Sequence, residues 1–68
     1  MKAIKVIVSF SEWQKVEEVM QSVNNMEAMA LPIDNVSFYI ATSSEESMED
    51  ITSFLNDAFE EVEIMDEY

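Results

Sequence analysis

The apolar residues of this chain change their spacing several times along its length, and those changes constrain the fold more than any other feature. Ile4, Val6, Val8 and Phe10 alternate with Ala3, Lys5, Ile7 and Ser9, the period of two that marks a half-buried strand. Trp13, Val16, Val19, Met20 and Val23 then recur at helical spacing. The helix opens on Ser11-Glu12-Trp13-Gln14, where Ser11 as cap and Gln14 at the third helical position would make a capping box. It is expected to end near Asn24-Asn25, with an asparagine in the left-handed cap.

From Met26 to Ala41 the pattern is extended, and Asp34-Asn35 between two apolar runs suits the two-residue turn of a hairpin. That turn pairs Ile33 with Val36, Leu31 with Phe38 and Met29 with Ile40, which gathers all six on one side of the sheet. Ala28, Ala30, Ser37, Tyr39 and Ala41 then share the other side. Pro32 has no N–H to give a ladder, so the second strand is expected at an edge.

Ser43-Ser44-Glu45-Glu46 offers a second capping box ahead of a helical stripe of Met48, Ile51, Phe54, Leu55, Ala58 and Phe59. Val62 and Ile64 alternate with Glu61, Glu63 and Met65 in a short last strand. The order β-α-β-β-α-β is the split arrangement of ferredoxin-like α+β domains, with two helices on one face of a four-stranded antiparallel sheet. Dropping the weak second strand leaves β-α-β-α-β as the alternative. Residues 1–68 read as a single acidic domain without linker or repeat, whose net stability is expected between a few and about 10 kcal/mol.

Composition then removes most chemistries. The chain has no Cys, His or Gly, which takes away thiolate nucleophiles, Cys-ligated zinc, the usual base near neutral pH and phosphate-cradling loops. Glu17-Glu18, Glu45-Glu46 and Glu60-Glu61 are formal acid/base pairs, yet a core this small offers no pocket to perturb them. The glycine-containing calcium loop is absent as well. The expectation is a protein that is not an enzyme and holds no cofactor or metal. Met1 to Val8 is too short and too broken by Lys5 for a signal peptide, and no stretch approaches the ~20 apolar residues of a membrane span, so a cytoplasmic location without membrane contact is expected. Met26, Met29 and Met48 read as core fillers. Trp13 reads as core beside Val16 and Met20, the alternative being an exposed anchor for a partner.

What remains is charge. Fifteen acidic residues face three lysines, for a net charge of −12, and all three lysines, Lys2, Lys5 and Lys15, precede Val16. Acids near a helix C-terminus cost about 0.3 to 1 kcal/mol each, and like charges four apart cost a few tenths. Asp57, Glu60 and Glu61 crowd the expected end of the second helix, while Glu46 with Asp50 and Asp57 with Glu61 repel each other. Selection for stability alone would not write such a surface. Carboxylates three or four apart on a helix stand ~5 to 6 Å apart, and alternate strand residues such as Glu61 and Glu63 ~6.6 Å apart, steps close to those between phosphates of a nucleic-acid strand.

In size, acidity and lack of a catalytic set, the whole chain resembles the small phage-encoded DNA-mimic inhibitors, a likeness of character without a shared motif. The resemblance implies a role in host takeover, in the host cytoplasm, through occupation of the nucleic-acid site of a basic host DNA-binding protein. Targets of that class include uracil-DNA glycosylase, restriction and CRISPR nucleases, RNA polymerase and the nucleoid-associated, histone-like protein HU. HU is the target favoured here, through likeness to small acidic proteins of lytic phages of Gram-positive hosts. The expected partner-binding residues are Glu45, Glu46, Glu49, Asp50, Asp57, Glu60, Glu61 and Glu63, and direct binding to nucleic acid is opposed by like charge. Two other readings stay open: an acidic regulatory subunit that binds a basic patch unrelated to nucleic acid, and an ordinary halophilic domain. The non-helix face of the sheet, with Ala3, Ile7, Ala28, Ala30, Tyr39, Ala41 and Met65, is expected to be flat and apolar. It would suit a homodimer joined through Ile7, Tyr39 and Met65, in preference to contact with the partner protein.

Overall fold

The computed structural model describes residues 2–66, and the switches of period fall where its elements change. In chain order these are β1 (Lys2–Val8), a 3-10 turn (Phe10–Glu12), α1 (Trp13–Asn24), β2 (Met29–Asp34), β3 (Ser37–Thr42), α2 (Glu45–Ala58) and β4 (Val62–Asp66). One sheet runs β2-β3-β1-β4 with every neighbouring pair antiparallel. This is the expected β-α-β-β-α-β order, and because β2 forms, the five-element alternative falls away. Pro32 lies in an edge strand, where its missing N–H costs no ladder bond.

Both helices cover the same face of the sheet. Ile4, Val6 and Val8 of β1 and Phe38 and Ile40 of β3 meet Val16, Val19 and Val23 of α1 and Ile51 and Leu55 of α2, with Phe59 also in this core. Phe38, Val6 and Ile64 form one row across three strands, because Val6 pairs with Phe38 on one side and with Ile64 on the other. Full burial of side chains such as Phe38, Ile40, Ile51 and Leu55 stabilises the fold by roughly 1.5 to 3 kcal/mol each.

The ends of the helices depart from the sequence reading. Glu12 donates its N–H to the Ser9 carbonyl at 2.9 Å and closes the 3-10 turn, which draws in Ser11 and leaves α1 starting at Trp13 with no side-chain cap. The Ser11–Gln14 capping box is therefore not made, and Ser11 Oγ lies 3.1 Å from Ser9 Oγ instead. Phe10 leaves the strand for that turn and is 72% exposed. At the other end Asn25 keeps φ −85°, and the left-handed residue is Glu27 at φ 60°. Asn24 instead uses its side chain, accepting the Ala30 N–H at 2.9 Å, while the Glu27 carbonyl accepts the Thr42 hydroxyl at 3.0 Å. In α2 the cap is Ser44, whose Oγ accepts the Ser47 N–H at 3.1 Å, and Glu45 and Glu46 sit in the first turn, where the helix dipole favours them.

The hairpin register differs by one residue, with large effect. The loop is Asn35-Val36, not Asp34-Asn35, and the pairs are Met29 with Ala41, Ala30 with Ile40 and Leu31 with Tyr39, with a bulge between Pro32 and Asp34. The cause is the Asp34 side chain: its Oδ1 accepts the Val36 N–H at 2.9 Å and the Ser37 hydroxyl at 2.8 Å, so the turn begins at Asp34 and takes in Val36. A slip of one residue exchanges the two faces of a strand. Ala30 therefore faces the core, while Met29 and Leu31 face away from the helices.

Those bonds, the Val36 N–H first and the Ser37 hydroxyl second, hold the Asp34 carboxyl below its usual 3.8. A carboxylate depressed on folding stabilises fully above its unfolded pKa, and the contribution is lost as pH falls through the lower folded value. Asp34→Ala is thus expected to be less stable than wild type at neutral pH, and the two should converge in acid. Urea melts of both proteins at several pH values check this; a gap that persists in strong acid would contradict it.

Candidate partner-binding surfaces

Ile51 and Leu55 are buried and Met48, Phe54 and Ala58 partly so, which fixes how α2 is turned. The helical rotation then sets Glu46, Asp50 and Asp57 in one outward row and Glu45 and Glu49 in a second, all exposed. A four-residue step along such a row is ~6 Å. Lys2 Nζ reaches Glu45 Oε1 at 3.3 Å, an ion pair between two exposed side chains and so worth at most about 1 kcal/mol. Beside it Glu49 and Asp66 border a shallow cleft with Lys2, Ile4 and Met48.

The other end of α2 is built differently from what the sequence led us to expect. No lysine of α2 or β4 faces its carbonyls, but Lys15 reaches across from α1, with Nζ 3.4 Å from the Ala58 oxygen and 3.8 Å from Glu12 Oε2. Glu12 is itself buried. Its two carboxylate oxygens accept the Glu60 N–H at 2.9 and 3.1 Å, and Oε1 also accepts the Glu61 N–H at 3.3 Å. That carboxylate holds the connector from α2 to β4, so Glu60 and Glu61 lie beyond the helix and of the three acids only Asp57 is in its last turn. Sequence reading assigned Glu12 nothing. Its partners lie 48 and 49 residues away, and no local pattern points to them.

Among the described residues the ion pairs are Lys2 with Glu45 and Lys15 with Glu12. Glu46, Glu49, Asp50, Asp57, Glu60 and Glu61 therefore stand without a cation at ion-pair distance among those residues. Nor do three acidic side chains converge among them as a metal site requires. The eight expected partner-binding residues are not one patch: five are on α2, Glu60 and Glu61 are in the connector, and Glu63 is elsewhere. Val62 and Ile64 pack on the core, so Glu63, opposite Ile7, points to the far side of the sheet. Glu67 and Tyr68 lie outside the described residues.

That far side has no helix over it. Ile7, Tyr39 and Met65 share it, but Ala30 is turned to the core and Ala28 precedes β2, so the face is not the plane of small residues expected. In their place stand Met29, 58% exposed, and Leu31, 48% exposed. Leu31, Tyr39, Lys5 and Met65 form a row across all four strands, with Met29, Ala41 and Ala3 in the next. Met26 and Met48 pack against the core, whereas Met29 does not. Trp13, expected in the core, is 44% exposed because α1 begins at it, one turn ahead of the buried Val16. With Met20, Pro32 and Asn35 it lines a groove of about 380 Å³ between α1 and the hairpin.

No helix among the described residues is long and apolar enough to cross a membrane. No family model, no curated protein and no solved structure matches this chain.

Proposed function

We propose that this chain is a DNA mimic that inhibits a basic DNA-binding protein by occupying its nucleic-acid site. The observation that carries this reading is the outward surface of α2. Glu46 with Asp50 and Glu45 with Glu49 stand there at near-phosphate steps of ~6 Å, and Asp57 follows Asp50 at ~10.5 Å, with one lysine pairing one of the five and no basic residue on the helix itself. The helix N-terminus favours Glu45 and Glu46, but stability does not account for Glu49, Asp50 and Asp57, since like charges three or four apart cost a few tenths of a kcal/mol and Asp57 opposes the helix dipole. A basic groove gains from these carboxylates, through steering at long range and through release of its own counterions at contact. The proposed contact residues are Glu45, Glu46, Glu49, Asp50 and Asp57, continued by Glu60 and Glu61. The chain itself acts as no enzyme and needs no cofactor in this role.

HU, the target favoured by the class resemblance, is the first to test. Labelled duplex bound to HU should be released as this protein is added, and its affinity for HU should fall steeply between about 50 and 200 mM salt. A ternary complex of protein, target and duplex, or an affinity flat with salt, would sink the mimicry reading. If HU is not bound, capture from a bacterial lysate with duplex as competitor extends the same test to other targets. Captured proteins that duplex fails to displace would mark an acidic subunit that binds a basic patch unrelated to nucleic acid.

A further inference from the structure

We infer that the uncovered face of the sheet is where two copies of this chain meet, stacked about a two-fold axis. Met29, Leu31, Tyr39 and Met65 are all more than a third exposed there, on a surface that is otherwise strongly acidic. Met29, Leu31 and Tyr39 adjoin, with Lys5 between them and Met65, and monomers seldom leave several large apolar side chains together in water. Four strands ~4.8 Å apart and five residues at ~3.3 Å rise give a face on the order of 300 Å² in projection. Stacked copies would cover both faces, on the order of 600 Å² in projection, an area that suits a weak, concentration-dependent dimer.

Charge selects a second copy as the occupant. Within the face stand one lysine, Lys5, and one glutamate, Glu63, with Asp34 at a corner. Lys5 lies opposite Met65 and Glu63 opposite Ile7, so the two are diagonal neighbours on adjacent strands. In an isologous contact whatever i does to j is repeated by j to i. A two-fold axis that runs across the strands between the two faces, midway between the Lys5–Met65 row and the Ile7–Glu63 row, keeps all four strands stacked and sets each Lys5 one strand away from the partner's Glu63, so the complementary contact is made twice. A basic nucleic-acid-binding protein is drawn instead to α2, on the opposite side of the sheet.

Stacking is favoured over joining of edges. β2 carries Pro32 and the bulge, and β4 carries Glu61, Glu63 and Asp66 at or beside its edge, so two like edges repel. The stacked pair turns both α2 surfaces outward.

The test uses the isolated protein, so its result is independent of any target. Sedimentation over a wide concentration range should show a monomer–dimer equilibrium for wild type and a monomer for Leu31→Glu and Tyr39→Glu, each checked for a native melt. Lys5→Glu and Glu63→Lys should each weaken the dimer roughly tenfold or more, and the double variant should restore it. On dilution of wild type, the methyl resonances of Met29 and Met65 should shift while those of Met26 and Met48 stay, a reading that needs no variant. A wild type that stays monomeric throughout overturns the inference, as does a dimer that Leu31→Glu and Tyr39→Glu leave intact. Failure of the double variant to recover overturns the Lys5–Glu63 pairing.

Discussion

Glu12→Ala is expected to lower the unfolding free energy by about 3 kcal/mol, the largest single effect outside the apolar core. The lost carboxylate accepts the N–H groups of Glu60 and Glu61, and its side chain is nearly buried between α1 and the connector. Hydrogen bonds to a charged acceptor contribute about 1.5 to 3 kcal/mol each, and water reaching the exposed Glu60 and Glu61 recovers part of the loss. Lys15 also loses the carboxylate 3.8 Å away, though it keeps the Ala58 carbonyl. Glu12→Gln retains one acceptor oxygen without the charge and should lose about half as much. For a domain whose whole stability is a few to about 10 kcal/mol, the alanine variant should show a large drop in urea midpoint with little change in slope. A change below about 0.5 kcal/mol would mean that solvent replaces the carboxylate.

Neutralising Asp57 and Glu60, as Asp57→Asn with Glu60→Gln, should move stability and binding in opposite directions. Asp57 sits in the last turn of α2, where a negative charge opposes the helix dipole, and Glu60 follows just beyond the cap. Lys15 at the Ala58 carbonyl offsets part of that repulsion, so the gain in stability should be a few tenths to about 1 kcal/mol. The Glu60 N–H still bonds to Glu12, which leaves the connector in place. On the proposed mimicry, affinity for the target should fall roughly tenfold or more at low salt, because two carboxylates would be lost from a surface proposed to bind through charge. A purely solvated acidic face predicts the gain in stability without the loss of binding. The control is Glu17→Gln with Glu18→Gln on α1. If that pair abolishes binding while the α2 pair does not, the site is on the other helix.

The fold was legible because it rests on periodicity, and periodicity is local. Val6, Phe38, Ile51 and Leu55 each lie where the alternating or helical stripe places them, and Pro32 alone was enough to send β2 to an edge. What was not legible depends on side-chain hydrogen bonds that compete with a turn or a cap. Asp34 could accept from Val36 or leave it in the strand, and only the first choice turns Leu31 and Met29 outward. Ser11 and Gln14 had the composition of a capping box, yet a 3-10 turn closed at Ser9 removed the geometry it needs. Of the candidate site, the five acids on α2 were placed by the same helical stripe that buries Ile51. Glu63 was grouped with those acids by charge, although the alternation that sets Met65 on the uncovered face of the sheet sets Glu63 there as well. Glu12 and Lys15 act across the fold, on partners that sequence proximity does not bring near them.

The weak anchoring of β2 bears on motion. Its one buried side chain is Ala30, and Asn24 at one end and the Asp34 turn at the other tie it down. Little apolar area is lost when such a strand detaches, so its opening lies well below global unfolding on the free-energy scale. Amides of β2 should then exchange with solvent through that local opening, while those of β1, paired on both sides, wait for the whole domain to unfold. Stacking of two copies over Met29 and Leu31 would close the same opening, which couples the fluctuation of an edge strand to the concentration of the protein.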